Sequence, residues 1–289
     1  MAGLLPPGPA PGRVAPDVRP AVSQDVLLAL LADARLPTGA HTQSAGLEPA
    51  LRAGLHPDDV PAYLAARLRT VVRVESATAV VARHAVLRGL GASGVDTPAA
   101  TAALRVVEGE WAARTPSAAL RRSSEQLGRG YLRLARRLWA GHPALAALEA
   151  VPRGPVGHAA GGAGRTAPAG PAGAGRAGPP GSSGRGRRGP ARPLVLGVTA
   201  ACAGLDPIGV ARLVALDDVQ TVASAFLKLA PVDPLVTTGW VLAAAPAVDA
   251  LARDVAHLTV AADLPAAGAP LTEEWAEAHV HATERLFSA

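Results

Sequence analysis

The sequence predicts an all-α protein, a single-domain helical bundle interrupted by a long, disordered Gly/Pro/Arg-rich linker. Three observations carry this prediction. First, 49% of the 289 residues are hydrophobic but only 3% are aromatic. The core must therefore be built from Ala, Leu and Val, whose small volumes and low entropy cost suit closely packed helices. Second, apolar residues recur at helical spacing in one segment after another, and no period-two alternation joined by Asn-Gly or Asp-Gly turns occurs. Third, 13 of the 41 residues from Pro152 to Arg192 are Gly and 7 are Pro, too little apolar surface to offset the entropy of ordering. The chain divides into a disordered lead at 1–21, one half of the helical domain at 22–151, the linker at 152–192 and the other half at 193–289.

Each helix has its own start and stop signals. Ser23 caps a first helix carrying Val26, Leu27, Leu30 and Leu31, with Pro37 to Gly39 as its stop. A second runs from near Thr42 to Gly54. A third opens at Pro57 with Asp58 and Asp59 in its first turn and continues to Gly89. Thr97-Pro98 and Thr115-Pro116 repeat one device, a capping hydroxyl followed by Pro at the first helical position. The helix after Thr115 places Leu120, Leu127, Tyr131, Leu134 and Leu138 on one face. Arg121, Arg122, Arg129, Arg133, Arg136 and Arg137 populate the others, and they read as a solvated basic flank. Beyond the linker, Leu194 to Ala203 is apolar all round and reads as a central buried helix. Asp206-Pro207 opens the next, which ends before Pro231. Helices through Trp240 and Leu251, and from Thr272 with Glu273, Glu274 and Trp275, complete the set.

Composition excludes several function classes. Cys202 is the only cysteine, so the chain forms no internal disulfide and no thiolate metal cage; a reducing, cytoplasmic setting is expected. The apolar runs Leu194 to Leu205 and Val241 to Ala250 fall short of the roughly 20 residues of a membrane span, so none is expected. Residues 1–20 do not read as a secretory signal. The net charge of +5 suggests nucleic acid until it is located. Seven of the 28 basic residues lie in the linker, leaving 21 against 23 acidic residues elsewhere. No nucleic-acid partner is expected, because the excess sits in one segment and not on a folded face.

Chemistry-bearing motifs are scarce. The sole lysine, Lys228, lies inside a helix, so no P-loop can be formed. Ser44 is not in a nucleophile elbow, because Thr42 stands where Gly is needed. His279 and His281 are two apart, which on a helix points them to different sides. No durable metal site is expected, and His41, His84 and His257 are isolated.

Five blocks resemble one family. Leu27 to Glu48 contains Leu36-Pro37-x-Gly39 and then Ser44-x-Gly46-Leu47-Glu48. Gln126 to Ala135 bears arginines in a middle helix, Leu194 to Leu205 is Gly- and Ala-rich, and Ala223 to Pro231 carries Lys228 where Arg is usual. His279 followed by Arg285-Leu286-Phe287 forms the last, with Val280 in place of Glu. In this order the blocks are similar to the urease accessory protein UreF family. The resemblance implies a non-catalytic, all-α, dimeric scaffold that joins UreD/UreH and the GTPase UreG for GTP-dependent nickel insertion into apo-urease. No cofactor is held stably, and nickel is handled by the complex. It also implies partner-binding residues at Arg285, Leu286, Phe287 and His279, and around the turn of Pro37, Gly39, Ser44, Gly46 and Glu48. The exposed Leu286-Phe287 pair would fold onto a partner groove. The alternative is a stand-alone nickel-binding chaperone using His279, His281 and Cys202.

Overall fold

The computed structural model describes residues 22–33, 35–89, 96–153, 188–283 and 285–287. Among them it contains eleven α-helices and no β-strand. Helix α1 (Gln24–Leu31) begins as expected, with Ser23 Oγ accepting the Val26 N–H. It ends well before Pro37, at an Asx-type turn in which the Asp33 carboxylate accepts the Arg35 N–H. The expected second helix is split into a 3-10 turn (Ala40–Thr42) and α2 (Leu47–Arg52). Between them Ala45 and Gly46 take φ of 52° and 78°, conformations that no right-handed helix contains. The long helix expected from Pro57 to Gly89 is likewise two, α3 (Val60–Arg69) and α4 (Val71–Gly89), preceded by a 3-10 turn at Pro57–Asp59. Thr70 breaks it with φ −119° and ψ −102°, and its hydroxyl bonds back to the Ala66 carbonyl.

Two caps also differ from expectation. Helix α5 (Thr97–Ala113) is capped by Asp96, whose carboxylate accepts the Ala99 N–H, and not by Thr97. Helix α6 (Ala118–Leu138) is capped by Ser117, and Thr115 lies outside it. The reason for the second shift is tertiary: Glu277 Oε1 accepts both the Ser117 hydroxyl, at 2.7 Å, and the Ala119 N–H, at 2.8 Å. These bonds, the Ala119 N–H foremost, hold the Glu277 carboxyl below the usual carboxylate range. Helix α7 (Pro143–Ala150) has no counterpart in the sequence reading; His142 Nδ1 caps it. After it come α8 (Arg192–Ala203), α9 (Pro207–Leu229), α10 (Pro234–Val255) and α11 (Pro270–Val280). Asp206 caps α9 as expected.

The core forms two apolar clusters. One surrounds α8, which is buried continuously from Arg192 to Ala201 and packs against α4 and α6. The other gathers Leu47, Tyr63, Leu64, Val222 and Phe226 from α2, α3 and α9. Helix α9 runs through both, giving Val210 to Val214 to the first and Ala215 to Phe226 to the second, so the two clusters belong to one domain. Residues 154–187 of the expected linker lie outside the described residues. Its end does not behave as linker: Arg192 opens α8 and is buried.

The inward face of α6 is not the expected leucine row. Leu120, Leu127 and Leu134 are half-buried and Leu138 is exposed, whereas Ser124, Gly128, Tyr131 and Ala135 are buried. The two glycines admit backbone from other segments. A Cβ on Gly128 would stand 1.9 Å from the Pro190 carbonyl oxygen, and one on Gly130 1.8 Å from that of Thr38. Small size, and not hydrophobicity, decides this face.

Helix α10 extends beyond the apolar run read from the sequence. At 22 residues and mean hydropathy 1.5 over its apolar window it is long and apolar enough to cross a membrane by length and composition, though only 22% of that window is buried. The run Val241 to Ala250 is the middle of this helix, which also takes in Thr237, Thr238 and Gly239 on its amino-terminal side. In the fold one side of α10 packs on α9 and α3, and the other leaves Leu235, Val236 and Leu242 exposed.

The glycines yield a prediction of opposite signs. Gly130→Ala drives a methyl into the Thr38 backbone and is expected to destabilise the fold by about 2–4 kcal/mol. Gly109→Ala in α5, where a Cβ meets nothing within 4 Å, is expected to stabilise it by about 0.5–1 kcal/mol. Urea unfolding of the two variants measures both.

Candidate partner-binding site at the carboxyl-terminal tail

The turn before α2 shapes this site. Gly39, at φ 88°, starts the 3-10 turn, and its carbonyl accepts the Thr42 hydroxyl. Ser44, fully buried, receives the Glu48 N–H on its hydroxyl, so it caps α2 from two residues outside. The Tyr63 hydroxyl donates to the Ala45 carbonyl at 2.7 Å. A Cβ on Gly46 would meet that same hydroxyl at 2.9 Å, in a left-handed conformation that glycine adopts without strain.

This turn aims Glu48 inward, where it is 1% exposed, and there it holds the tail. Glu48 Oε1 accepts the Leu286 N–H at 2.8 Å and Oε2 the Phe287 N–H at 2.9 Å. Arg52 Nη2 adds a third bond to Oε1 at 2.8 Å. His279 Nε2 lies 3.2 Å from the Phe287 carbonyl and 3.5 Å from Glu48 Oε2. Both neighbours are acceptors, so this nitrogen carries the proton. One carboxylate and one imidazole thus fix the backbone of two consecutive tail residues. Charge-assisted bonds of this kind are worth about 1.5–3 kcal/mol each.

The Phe287 ring enters the second apolar cluster and is 4% exposed. Lys228 Nζ sits 5.3 Å from the ring centroid and donates to the His41 carbonyl at 2.9 Å. Lysine therefore supplies both a backbone donor and a cation over the ring. Nothing in the structure explains Val280, which is 38% exposed.

The two regions singled out in the sequence thus meet: Ser44, Gly46 and Glu48 from the turn join His279, Leu286 and Phe287. Pro37 is exposed and Gly39 shapes the turn from outside the clasp. The expectation of an exposed Leu-Phe pair requires correction. Phe287 packs on the protein's own core, because Glu48 and His279 hold the backbone that carries it, while Arg285 and Leu286 stay exposed. His279 is buried by this contact and His281 is exposed at the end of α11. Cys202 lies against the other apolar cluster with its thiol pushed up by burial to about 12, which keeps it protonated and a poor ligand. No group of three His, Cys, Asp or Glu side chains able to hold a metal ion occurs among the described residues.

Behind the turn lies an ionic cluster that sequence reasoning missed. Arg67 clasps Asp218 with Nε at 2.9 Å and Nη2 at 2.6 Å. Arg192 reaches Glu75 at 2.7 Å and Asp217 at 2.8 Å. The Tyr131 hydroxyl donates to Asp217. Burial alone would lower the two guanidinium pKa values, but the facing carboxylates outweigh it and raise them. Burial raises Glu75, against the pull of Arg192. Gln43 Nε2, Arg67 Nη1 and Arg192 Nε have no hydrogen-bond partner among the described residues, and all three residues line a cavity of about 70 Å³. The available signal was the adjacent acids Asp217-Asp218 in the middle of a mostly apolar helix.

Two predictions follow from this geometry. Glu48→Ala is expected to raise amide exchange at Leu286 and Phe287 by about tenfold or more, measured by hydrogen-exchange mass spectrometry; unchanged exchange would mean that the carboxylate does not hold the tail. Asp218→Ala leaves Arg67 buried and unpaired and is expected to cost about 3–5 kcal/mol. The double variant Arg67→Met with Asp218→Leu should lose far less, as read by urea unfolding.

A family model described as UreF matches residues 55–245, from the end of the Glu48 turn to the middle of α10. Lys228 lies inside that match; Glu48, His279 and the tail flank it. Among curated proteins, a urease accessory protein UreF of Mycobacterium sp. (strain JLS) is 39% identical over 138 residues, 47% of this chain and 58% of the relative. Proteins of the same name from Mycolicibacterium vanbaalenii and Mycobacterium marinum are 41% and 42% identical over 115 and 116 residues, 39% of this chain and 48% and 47% of the relatives. The chain spans about half the length of the curated relatives it matches. With the family model covering well over half of its residues, the chain belongs to the UreF family.

Proposed function

We propose that this protein is a non-catalytic, cytoplasmic urease accessory protein, a scaffold that joins UreD/UreH and the GTPase UreG for GTP-dependent nickel insertion into apo-urease. Family membership supports the urease role. The observation that carries the scaffold reading is the clasp: buried Glu48 and His279 organise a terminal segment that leaves Arg285 and Leu286 exposed. A side chain such as Leu286, 59% exposed on an otherwise fixed backbone, is a preorganised apolar anchor for a partner. Phe287 acts from within, by seating the segment. In this reading nickel is cargo of the assembly and no cofactor is held stably by the chain. The homodimer belongs to the same proposal, and the exposed Leu235, Val236 and Leu242 of α10 supply apolar surface that a second copy would cover.

Co-expression with UreD/UreH and UreG tests the proposal. Leu286→Ala is expected to weaken capture of UreD/UreH by about tenfold while leaving the unfolding midpoint unchanged. Phe287→Ala should lower both capture and stability. If deleting residues 285–289 leaves complex formation intact, the tail is not the attachment element.

A further inference from the structure

The outward side of α6 carries a cationic stripe that the clasp does not use and that the fold engages only at Arg136, paired with Glu149, and at Arg129, whose side chain lies against Gly189. Arg122, Arg129, Arg133, Arg136 and Arg137 are all exposed. At 100° per residue they fall within about 60° of a common line, over about 22 Å of helix. The same line holds Gln126 and Ala118, with the half-buried Glu125 at its edge. Only Arg136 has an ion-pair partner there, Glu149 at 2.6 Å. Arg122, Arg129, Arg133 and Arg137 make no hydrogen bond or ion pair among the described residues. Glu125 and Glu277 are half-buried beside the stripe and feel the charges of Arg129 and Arg122 without bonding them, and Glu277 is already engaged at the α6 cap.

Such a stripe works against the helix that bears it. Arg129 with Arg133, and Arg133 with Arg137, are like charges at i,i+4, each unfavourable by about 0.2–0.5 kcal/mol. The helix dipole favours Arg136 and Arg137 in the last turn but gives nothing to Arg129, and it disfavours Arg122 near the amino terminus. A face placed only for solubility gains by interspersing acids; this one has a single half-buried acid at its edge, Glu125, i,i+4 to Arg129, against five arginines. The solvated flank expected from sequence therefore leaves the arrangement without a reason.

We propose that the outward face of α6 is a docking surface for an acidic protein segment, a helix whose carboxylates recur every one to two turns. The guanidiniums stand one to two turns apart, which matches glutamates at i, i+4 and i+7 on a facing helix, and arginine forks pair with carboxylates in two-point fashion. Single-stranded nucleic acid is less well matched. It is bound in grooves lined with stacking aromatics, whereas this face is convex, and the aromatics of α6 and its end, Tyr131 and Trp139, are buried and half-buried. The proposal does not depend on the urease reading.

The test uses the full chain and two labelled probes: an alanine-based helical peptide of about 20 residues with glutamates at i, i+4 and i+7, and a 20-nucleotide oligothymidylate. Fluorescence anisotropy at two salt concentrations gives the affinities. The variant R129Q/R133Q/R137Q is expected to bind the peptide about tenfold or more weakly, with a thermal midpoint equal to or above the parent's. R165Q/R176Q/R185Q, which removes the same charge elsewhere, should bind it as the parent does. Equal peptide binding by the α6 variant would overturn the proposal, as would loss of binding only in the second variant. Tighter binding of the oligothymidylate than of the peptide, abolished by the α6 substitutions, would overturn it in favour of a nucleic-acid surface.

Discussion

The fold depends on a buried ion network at the seam between its two apolar clusters. Arg67 of α3, Glu75 of α4, Arg192 of α8, and Asp217 and Asp218 of α9 meet there, with Tyr131 of α6 closing one side. Four helices thereby share one set of charges, with α6 adding a neutral hydroxyl, and loss of Asp218 or Arg67 would strand its partner away from water. Buried ion pairs contribute little net stability over well-packed apolar residues, but breaking one is costly. Their consequence here is uniqueness. A core of Ala, Leu and Val tolerates many packings, whereas a two-point Arg67–Asp218 pair permits one register of α3 on α9.

That register is what allows the tail to dock. Tyr63 and Arg67 lie one turn apart on α3; the first holds the Ala45 carbonyl and the second holds α9. The turn they brace points Glu48 at the backbone of Leu286 and Phe287 across 238 residues of chain. Lys228, further along α9, covers the Phe287 ring and ties down the other limb of the turn at His41. The ionic seam and the clasp are thus consecutive parts of one structure, and a change that loosens α3 against α9 also loosens the surface offered at the tail. The α6 stripe is connected differently, since α6 touches the seam with its inner face and leaves Arg122, Arg129, Arg133 and Arg137 without an ion-pair partner among the described residues.

The helical character was legible in the residues: Ser23 and Asp206 cap where expected, and the all-apolar Leu194 to Ala203 segment is the buried α8. The misreadings share a cause. The Ala45 turn, braced by Tyr63, and the Glu277-assisted cap at Ser117 depend on contacts from segments further away in sequence, and local propensity does not register them. The leucine row on α6 failed because hydrophobicity was taken as the measure of burial, when Gly128 and Gly130 are buried for want of volume. For the site, the turn and the tail were each visible as family-like blocks, but that they bind one another was not. Nor was the burial of Phe287 visible, since an Arg-Leu-Phe terminus reads the same whether it serves a partner or its own core.

By itself, the sequence determined that the chain is helical, that it cannot form a disulfide cage or a P-loop, and that its apolar surface suffices for one core. These follow from residue type and periodicity, which are local properties. Only the tertiary structure decided which charges are buried and which way the tail faces. Arg192 looked like linker and is structural; Phe287 looked like an exposed partner anchor and is core. The physical reason is that the cost or benefit of a charge is set by the partners and water around it, and those are assigned only when distant segments come together.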